Sequence, residues 1–185
     1  MNTDPTLPDF VAERAHMSRA TRKGIGMPIA GLLYWLAVMV VLRMDLPLRT
    51  ALVFCFVLTG PVFPIGYAIT KALGGDLFAK SATLTPIGMQ LAALQLFFWP
   101  VIIVVFNQAP EWTPFTLAVL FGSHFLPYGW MYESRGYPFL TVSLAVVMCG
   151  GAIVTGGPMT TLVPLLASGC YAVAVGILWT EVRAL

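Results

Sequence analysis

Gly122-Ser-His-Phe-Leu-Pro-Tyr-Gly-Trp-Met-Tyr-Glu133 puts a histidine, a proline and a cluster of aromatic rings inside one apolar stretch. With the residues from Thr113 to Phe121 before it, the stretch reaches the roughly 20 residues that a helix needs to cross the hydrocarbon core. The rest of the chain agrees. Apolar residues make up 58% of it, charged residues only 10%, and mean hydropathy is +0.85, whereas a soluble domain is about one quarter charged. Lipid, rather than water, is the expected solvent.

Working outward, similar runs recur with short gaps. Spans are expected at about Gly24 to Leu42, Thr50 to Ala72, Leu84 to Phe106, Thr113 to Tyr132, Tyr137 to Thr155 and Thr160 to Thr180. The fold class is therefore all-α, a polytopic transmembrane bundle of six helices with a short amphipathic N-terminal segment. Residues 1–23 form a cytoplasmic arm and residues 24–185 one transmembrane domain. In the arm, Thr6-Leu-Pro-Asp9 has the layout of a helix start. Phe10, Val11 and Met17 can face lipid there while Glu13, Arg14, Arg19, Arg22 and Lys23 face water or head groups; a frayed, solvated arm is the alternative. Asp4, Asp9 and Glu13 precede any apolar run, unlike a cleaved signal peptide, so the first span is expected to be retained and to direct insertion.

The formal net charge is +2, with basic residues scattered over loops, which argues against a nucleic-acid partner. With the N-terminus inside, the inner segments carry Arg14, Arg19, Arg22, Lys23, Lys71, Lys80, Arg135 and Arg183, and the outer ones only Arg43 and Arg49. Both termini are thus expected on the cytoplasmic side. Cys55, Cys149 and Cys170 lie in apolar runs without metal-ligand spacing and read as small buried hydrophobes. Ser168, Ala172 and Gly176, like Gly88 with Ala92 and Gly26 with Ala30, are small residues four apart. They form either a bundle seam or a homo-oligomer face.

Several polar groups fall at similar predicted depth: Tyr34, Thr59, Gln95, His124, Ser143, Ser168 and Tyr171. His124 and Tyr128 share a helix face, and Pro127 frees a carbonyl near position 123. In the second span Pro61 and Pro64 force a break, tolerated only against protein or water. An ionisable residue at membrane depth is a functional-site hypothesis, and imidazole can relay protons at physiological pH. The candidate path is His124, Tyr128, Gln95, Tyr34, Pro127, Pro61 and Pro64. The alternative is a neutral His124, hydrogen-bonded to Gln95 or Tyr34, that sets helix register. Glu133 and Arg135 are expected to pair or to anchor the helix to head groups. Trp35 reads as core; Trp99, Trp112, Trp130 and Trp179 read as interfacial anchors.

The basic arm, the Gly60-Pro-Val-Phe-Pro64 break, the third span with Gln90 and above all Gly122-Ser-His-Phe-Leu-Pro-Tyr128 resemble a family of uncharacterised bacterial multi-pass inner-membrane proteins, known as a domain of unknown function. The likeness covers roughly residues 20–180. It implies a compact helical fold in a bacterial cytoplasmic membrane, marks His124, Pro127 and Tyr128, and implies no activity.

Three function classes compete. A small permease or channel-like protein would line its path with the midplane groups around His124. A non-catalytic module would bind a lipid, a hydrophobic ligand or a partner membrane protein. An enzyme is not expected: Ser123 and His124 point about 100° apart on a helix and cannot form a dyad, and one deep histidine is too few for a metal. No cofactor is implied.

Overall fold

The computed structural model describes residues 6–185, with side chains from Phe10 onward, so the caps expected from the side chains of Thr6 and Asp9 lie outside the described ones. Among the described residues every regular element is helical. The order is α1 (Thr6–Ala20), a 3-10 turn at Arg22–Gly24, α2 (Gly26–Val41), α3 (Leu48–Val57) and α4 (Val62–Ala72). Then come α5 (Leu84–Leu94), a 3-10 turn at Gln95–Phe98, α6 (Trp99–Gln108), α7 (Thr113–Ser123), α8 (Leu126–Met131), α9 (Gly136–Thr155) and α10 (Val163–Arg183).

Four stretches are long and apolar enough to cross a membrane: Arg22–Val41, Leu84–Gln108, Gly136–Thr155 and Val163–Arg183. The bent pair α3 and α4, 41° apart, makes a fifth if it is one span. The expected count of six is not confirmed on this measure, because the stretch from α7 to α8 is not among them. Ser123, His124, Pro127 and Tyr128 dilute its apolar run, and Pro127, which has no N–H to continue a helix, opens α8 instead of lying inside a single rod.

Contacts between loops define two ends of the molecule. At one, the Asp76 N–H donates to Ala20 O at 2.8 Å, the Ser81 hydroxyl donates to Glu13, and Lys23 faces Glu181 at 3.7 Å. At the other, Arg49 donates to Asn107 O at 3.2 Å and Thr160 to Glu111 O at 3.0 Å. The C-terminal turn of α10 therefore lies at the same end as α1. The stretch from α7 to α8 also runs between the two ends, from beside Glu111 to Glu133, which pairs with Arg14 at 3.5 Å.

Apolar helices in lipid gain little hydrophobic drive toward one another, so close backbone approach has to hold them. α2 sits centrally, packed on α4 and α10. At Gly26 an added Cβ would fall 2.7 Å from Thr70 N and closer still to Gly66 O, so only glycine admits this approach. Gly122 on α7 likewise sits under Leu144 of α9, whose Cδ1 would lie 2.5 Å from a Cβ there. Proline occupies the first turn of α6, α7, α8 and α10, where a missing N–H leaves no bond unmade. α9 stops at Gly156, whose φ of 66° is the left-handed cap glycine favours.

The outer surface is apolar. Phe97, Ile153 and Val154 are 74%, 81% and 86% exposed, a surface that would associate in water and is compatible with a membrane protein. The passage through α5 and α6 is the most peripheral: 6% of its most apolar stretch is buried, against 50% for Arg22–Val41. On α10, Ser168 is buried, whereas Ala172 and Gly176 are exposed. Steps of four residues drift about 40° around a helix, so the three do not form one bundle seam. Cys55 and Cys170 are buried as expected, but Cys149 is exposed.

α1 is neither frayed nor laid with Met17 toward lipid. Met17 is buried, and Phe10 packs on Trp130 with ring centroids 5.8 Å apart. Glu13 accepts from the Ser81 hydroxyl and from the Thr83 N–H at 3.2 Å, which hold its carboxyl below the usual value. Stability from a depressed carboxyl is present above its unfolded value and is lost as pH falls through the folded one. Acidification is thus expected to lower amide protection, corrected for intrinsic exchange, along Phe10–Ala20. Ser81→Ala should flatten that pH dependence; an unchanged pH profile in the variant would show that this contact does not hold α1.

Candidate functional site

Where α7 ends, the chain solves a local backbone problem with side chains. The Ser123 hydroxyl donates to Leu120 O at 2.7 Å, His124 Nδ1–H to Phe121 O at 2.5 Å, and the Thr141 hydroxyl to Gly122 O at 2.9 Å. Three carbonyls in the last turn of α7 thereby gain side-chain donors, Gly122 O while also accepting the Phe125 N–H at 3.3 Å. Since a carbonyl only accepts, the imidazole carries a proton on Nδ1. His124 is 8% exposed.

From His124 a column of rings runs toward the α1 end. Its ring lies 4.1 Å from Phe125. Phe125 stacks on Tyr137 at 5.7 Å and meets Tyr171 edge-on at 6.1 Å. Tyr128 stacks on Tyr132 at 5.9 Å, and Tyr132 lies 5.9 Å from Tyr137. Each such pair adds about 0.5–1.5 kcal/mol beyond area burial. The Tyr128 hydroxyl donates to Gly88 O at 3.2 Å, tying α8 to α5. The column ends where the Tyr137 hydroxyl donates to Lys23 O at 2.5 Å.

Lys23 is the residue that sequence reasoning placed in water or head groups and the fold buries, at 7% exposure. Its Nζ donates to Tyr132 O at 3.0 Å and Glu133 O at 2.8 Å, and lies 3.7 Å from Glu181 Oε2. The Ser18 hydroxyl shares Tyr132 O at 2.5 Å, and Glu181 Oε1 accepts the Arg135 N–H at 2.8 Å. The backbone is strained to arrange this: Arg22, Lys23 and Glu133 all have φ of 50–51° and Gly24 has 63°. A left-handed non-glycine residue costs on the order of 1–3 kcal/mol and persists only where its surroundings hold it. Here a buried cation latches α1 and the start of α2 onto the α8–α9 turn and the last turn of α10. Its partner Glu181 is remote in sequence. The one local signal was a lysine followed directly by glycine at the edge of an apolar run.

His124 and Tyr128 are neighbours, with ring centroids 6.2 Å apart. Tyr34 is buried beside Trp35, and its hydroxyl has no hydrogen-bond partner among the described residues. Gln95 is half-buried in the 3-10 turn between α5 and α6. Pro61 and Pro64 are exposed at the α3–α4 bend, where the Thr59 hydroxyl donates to Phe56 O at 2.7 Å. The bonding partner of His124 is Phe121 O, in place of the expected Gln95 or Tyr34. Pro127 opens α8. Glu133 pairs with Arg14 across the molecule, not with Arg135. Among the described residues no three His, Cys, Asp or Glu side chains gather to hold a metal ion.

The model of a family of unknown function, DUF7010, matches residues 10–181. The chain belongs to that family. The DUF7010 match spans the docked α1, the His124 break and Glu181 alike. No curated protein and no solved structure matches the chain.

Proposed function

We propose that this chain is an integral membrane protein with six crossings, both termini cytoplasmic, that works without catalysis as a membrane-embedded binding or assembly module. Six crossings follow if the stretch from α7 to α8 and the bent α3–α4 pair each traverse the bilayer, as their position between the two ends supports. Eight basic residues then lie at the α1 end and two at the other, which assigns the α1 end to the cytoplasm. The bacterial inner membrane is the setting that the sequence resemblance implies.

The observation that carries the assembly reading is the outer face of α10. Ala172 and Gly176 are exposed, and a Cβ at Gly169 or Gly176 would meet nothing within 4 Å. Small residues at a bundle's outer face let a second apolar helix approach closely, so the occupant proposed is a second copy or a partner helix. The absence of catalysis is supported by Ser123 and His124 each bonding back to its own helix, which leaves neither hydroxyl nor imidazole aimed at the other. Gly176→Leu is expected to abolish a detergent-resistant oligomer seen by crosslinking in native membranes. An unaltered oligomer in Gly176→Leu would remove this face from the assembly.

One observation favours a transport path as a second reading. The Tyr34 hydroxyl, buried without a partner among the described residues, marks a position that an internal water would satisfy. On that reading, flux in proteoliposomes depends on pH and is lost in His124→Ala. Equal flux in the variant takes His124 out of any mechanism.

A further inference from the structure

We infer that a cleft at the α1 end, lined by Arg22, Leu73, Trp179, Val182, Arg183 and Leu185, is a site for the phosphate of an anionic phospholipid. The cleft encloses about 230 Å³, below the roughly 300 Å³ at which pockets for whole small molecules begin. A head-group phosphate and its glycerol fit that volume, while acyl chains would stay in the bilayer.

Arg22 and Arg183 both line it, and neither forms an ion pair with a carboxylate among the described residues. The acids nearby are engaged elsewhere: Glu181 with the Arg135 N–H and Lys23, and Asp76 with the Phe78 N–H at 2.9 Å. Paired planar guanidinium forks match phosphate oxygens in a way that a point-charge ammonium does not. The other four lining side chains are those of Leu73, Trp179, Val182 and Leu185, all largely apolar. Trp179, 37% exposed, supports the Arg183 guanidinium with its ring at 5.2 Å, the placement of an interfacial tryptophan.

Arg22 is aimed at the cleft by strained backbone. With φ of 50° at Arg22 and 51° at Lys23, consecutive side chains diverge, Lys23 into the latch and Arg22 over the turn after α4. Gly75 makes room for its stem, since a Cβ there would lie 2.9 Å from Arg22 Cγ and 3.0 Å from Thr21 C. The latch accounts for the strain at Lys23 but makes no use of Arg22. A basic cleft at the cytoplasmic level of a helix bundle is where acidic head groups bind.

The inference rests on the membrane reading above. Full-length protein in detergent is incubated with phosphatidylglycerol or phosphatidylcholine, and retained lipid is measured by native mass spectrometry. Phosphatidylglycerol should be retained more strongly, by a margin that shrinks with added salt. Arg22→Gln and Arg183→Gln should each weaken retention about fivefold, the share of one cation near an anionic surface, while Lys80→Gln leaves it unchanged. Gly75→Ala, which keeps both charges but displaces the Arg22 stem, should also weaken it and serves if Arg22→Gln fails to fold. Equal retention of the two lipids, or native-like retention in the Arg22→Gln/Arg183→Gln variant, overturns the site. Inorganic phosphate that binds delipidated protein as tightly and with the same arginine dependence overturns the lipid assignment in favour of free phosphate. Failure of the membrane reading would show separately, as folded chain recovered from aqueous buffer without detergent.

Discussion

Lys23→Met is expected to lower the unfolding free energy of the solubilised protein by about 3–5 kcal/mol, the cost of breaking a buried ionic group by removing one partner. The variant keeps the stem's volume and removes only the charge and donors. Three acceptors are then left in a covered site: the carbonyls of Tyr132 and Glu133, and the Glu181 carboxylate. Ser18 still serves Tyr132 O, so Glu133 O and Glu181 carry most of the loss. Glu181→Gln should cost less, because Lys23 keeps both carbonyls. Lys23→Gly relieves left-handed strain yet loses Nζ, and should fall between native and Lys23→Met. The measurement is equilibrium unfolding in mixed micelles, with a double-mutant cycle of Lys23→Met and Glu181→Gln for their coupling. A loss under about 1 kcal/mol would return Lys23 to the class of solvated surface charges.

The second large effect comes from the smallest change. Gly26→Ala is expected to destabilise the fold by about 1–3 kcal/mol, the usual range for overpacking, and the physical reason is which atoms stand in the way. The new methyl would press on Gly66 O and Thr70 N, both backbone, so α2 and α4 have to part along their whole seam. The Thr70 hydroxyl is already spent on Gly66 O at 2.9 Å and cannot swing to a better partner. Gly66→Ala is the informative comparison, since its first obstacle is the Met27 sulfur, the end of a flexible side chain. Gly150→Ala on α9, in open space, should be neutral or slightly stabilising, as alanine favours helix over glycine by about 1 kcal/mol. Equal stability of Gly26→Ala and Gly150→Ala would mean that the α2–α4 approach is not what holds the two helices together.

The candidate site was only half legible. His124, Pro127 and Tyr128 were found because a polar residue and a proline inside an apolar run violate the local pattern, and the break at His124–Phe125 is where that violation is resolved. The role of His124 was missed, because the donor it supplies serves a carbonyl three residues back that becomes free only once α7 stops at Ser123. Lys23 gave no comparable signal: a lysine flanking a span is what any membrane anchor looks like. Arg22, its neighbour, has the same local surroundings and goes the opposite way.

Taken alone, the order of residues determined the helical class, the apolar runs and most of their ends, because those depend on short-range hydropathy and on where proline and glycine fall. It also placed Pro61 and Pro64 at a bend. Only the tertiary structure decided which faces pack. It buried Ser168 and left Ala172 and Gly176 outside, docked α1 on the bundle, paired Glu133 with Arg14, and closed Lys23 over Glu181. Those outcomes depend on groups up to 158 positions apart, whose meeting is set by how closely two helix backbones approach, and no window of sequence contains that distance.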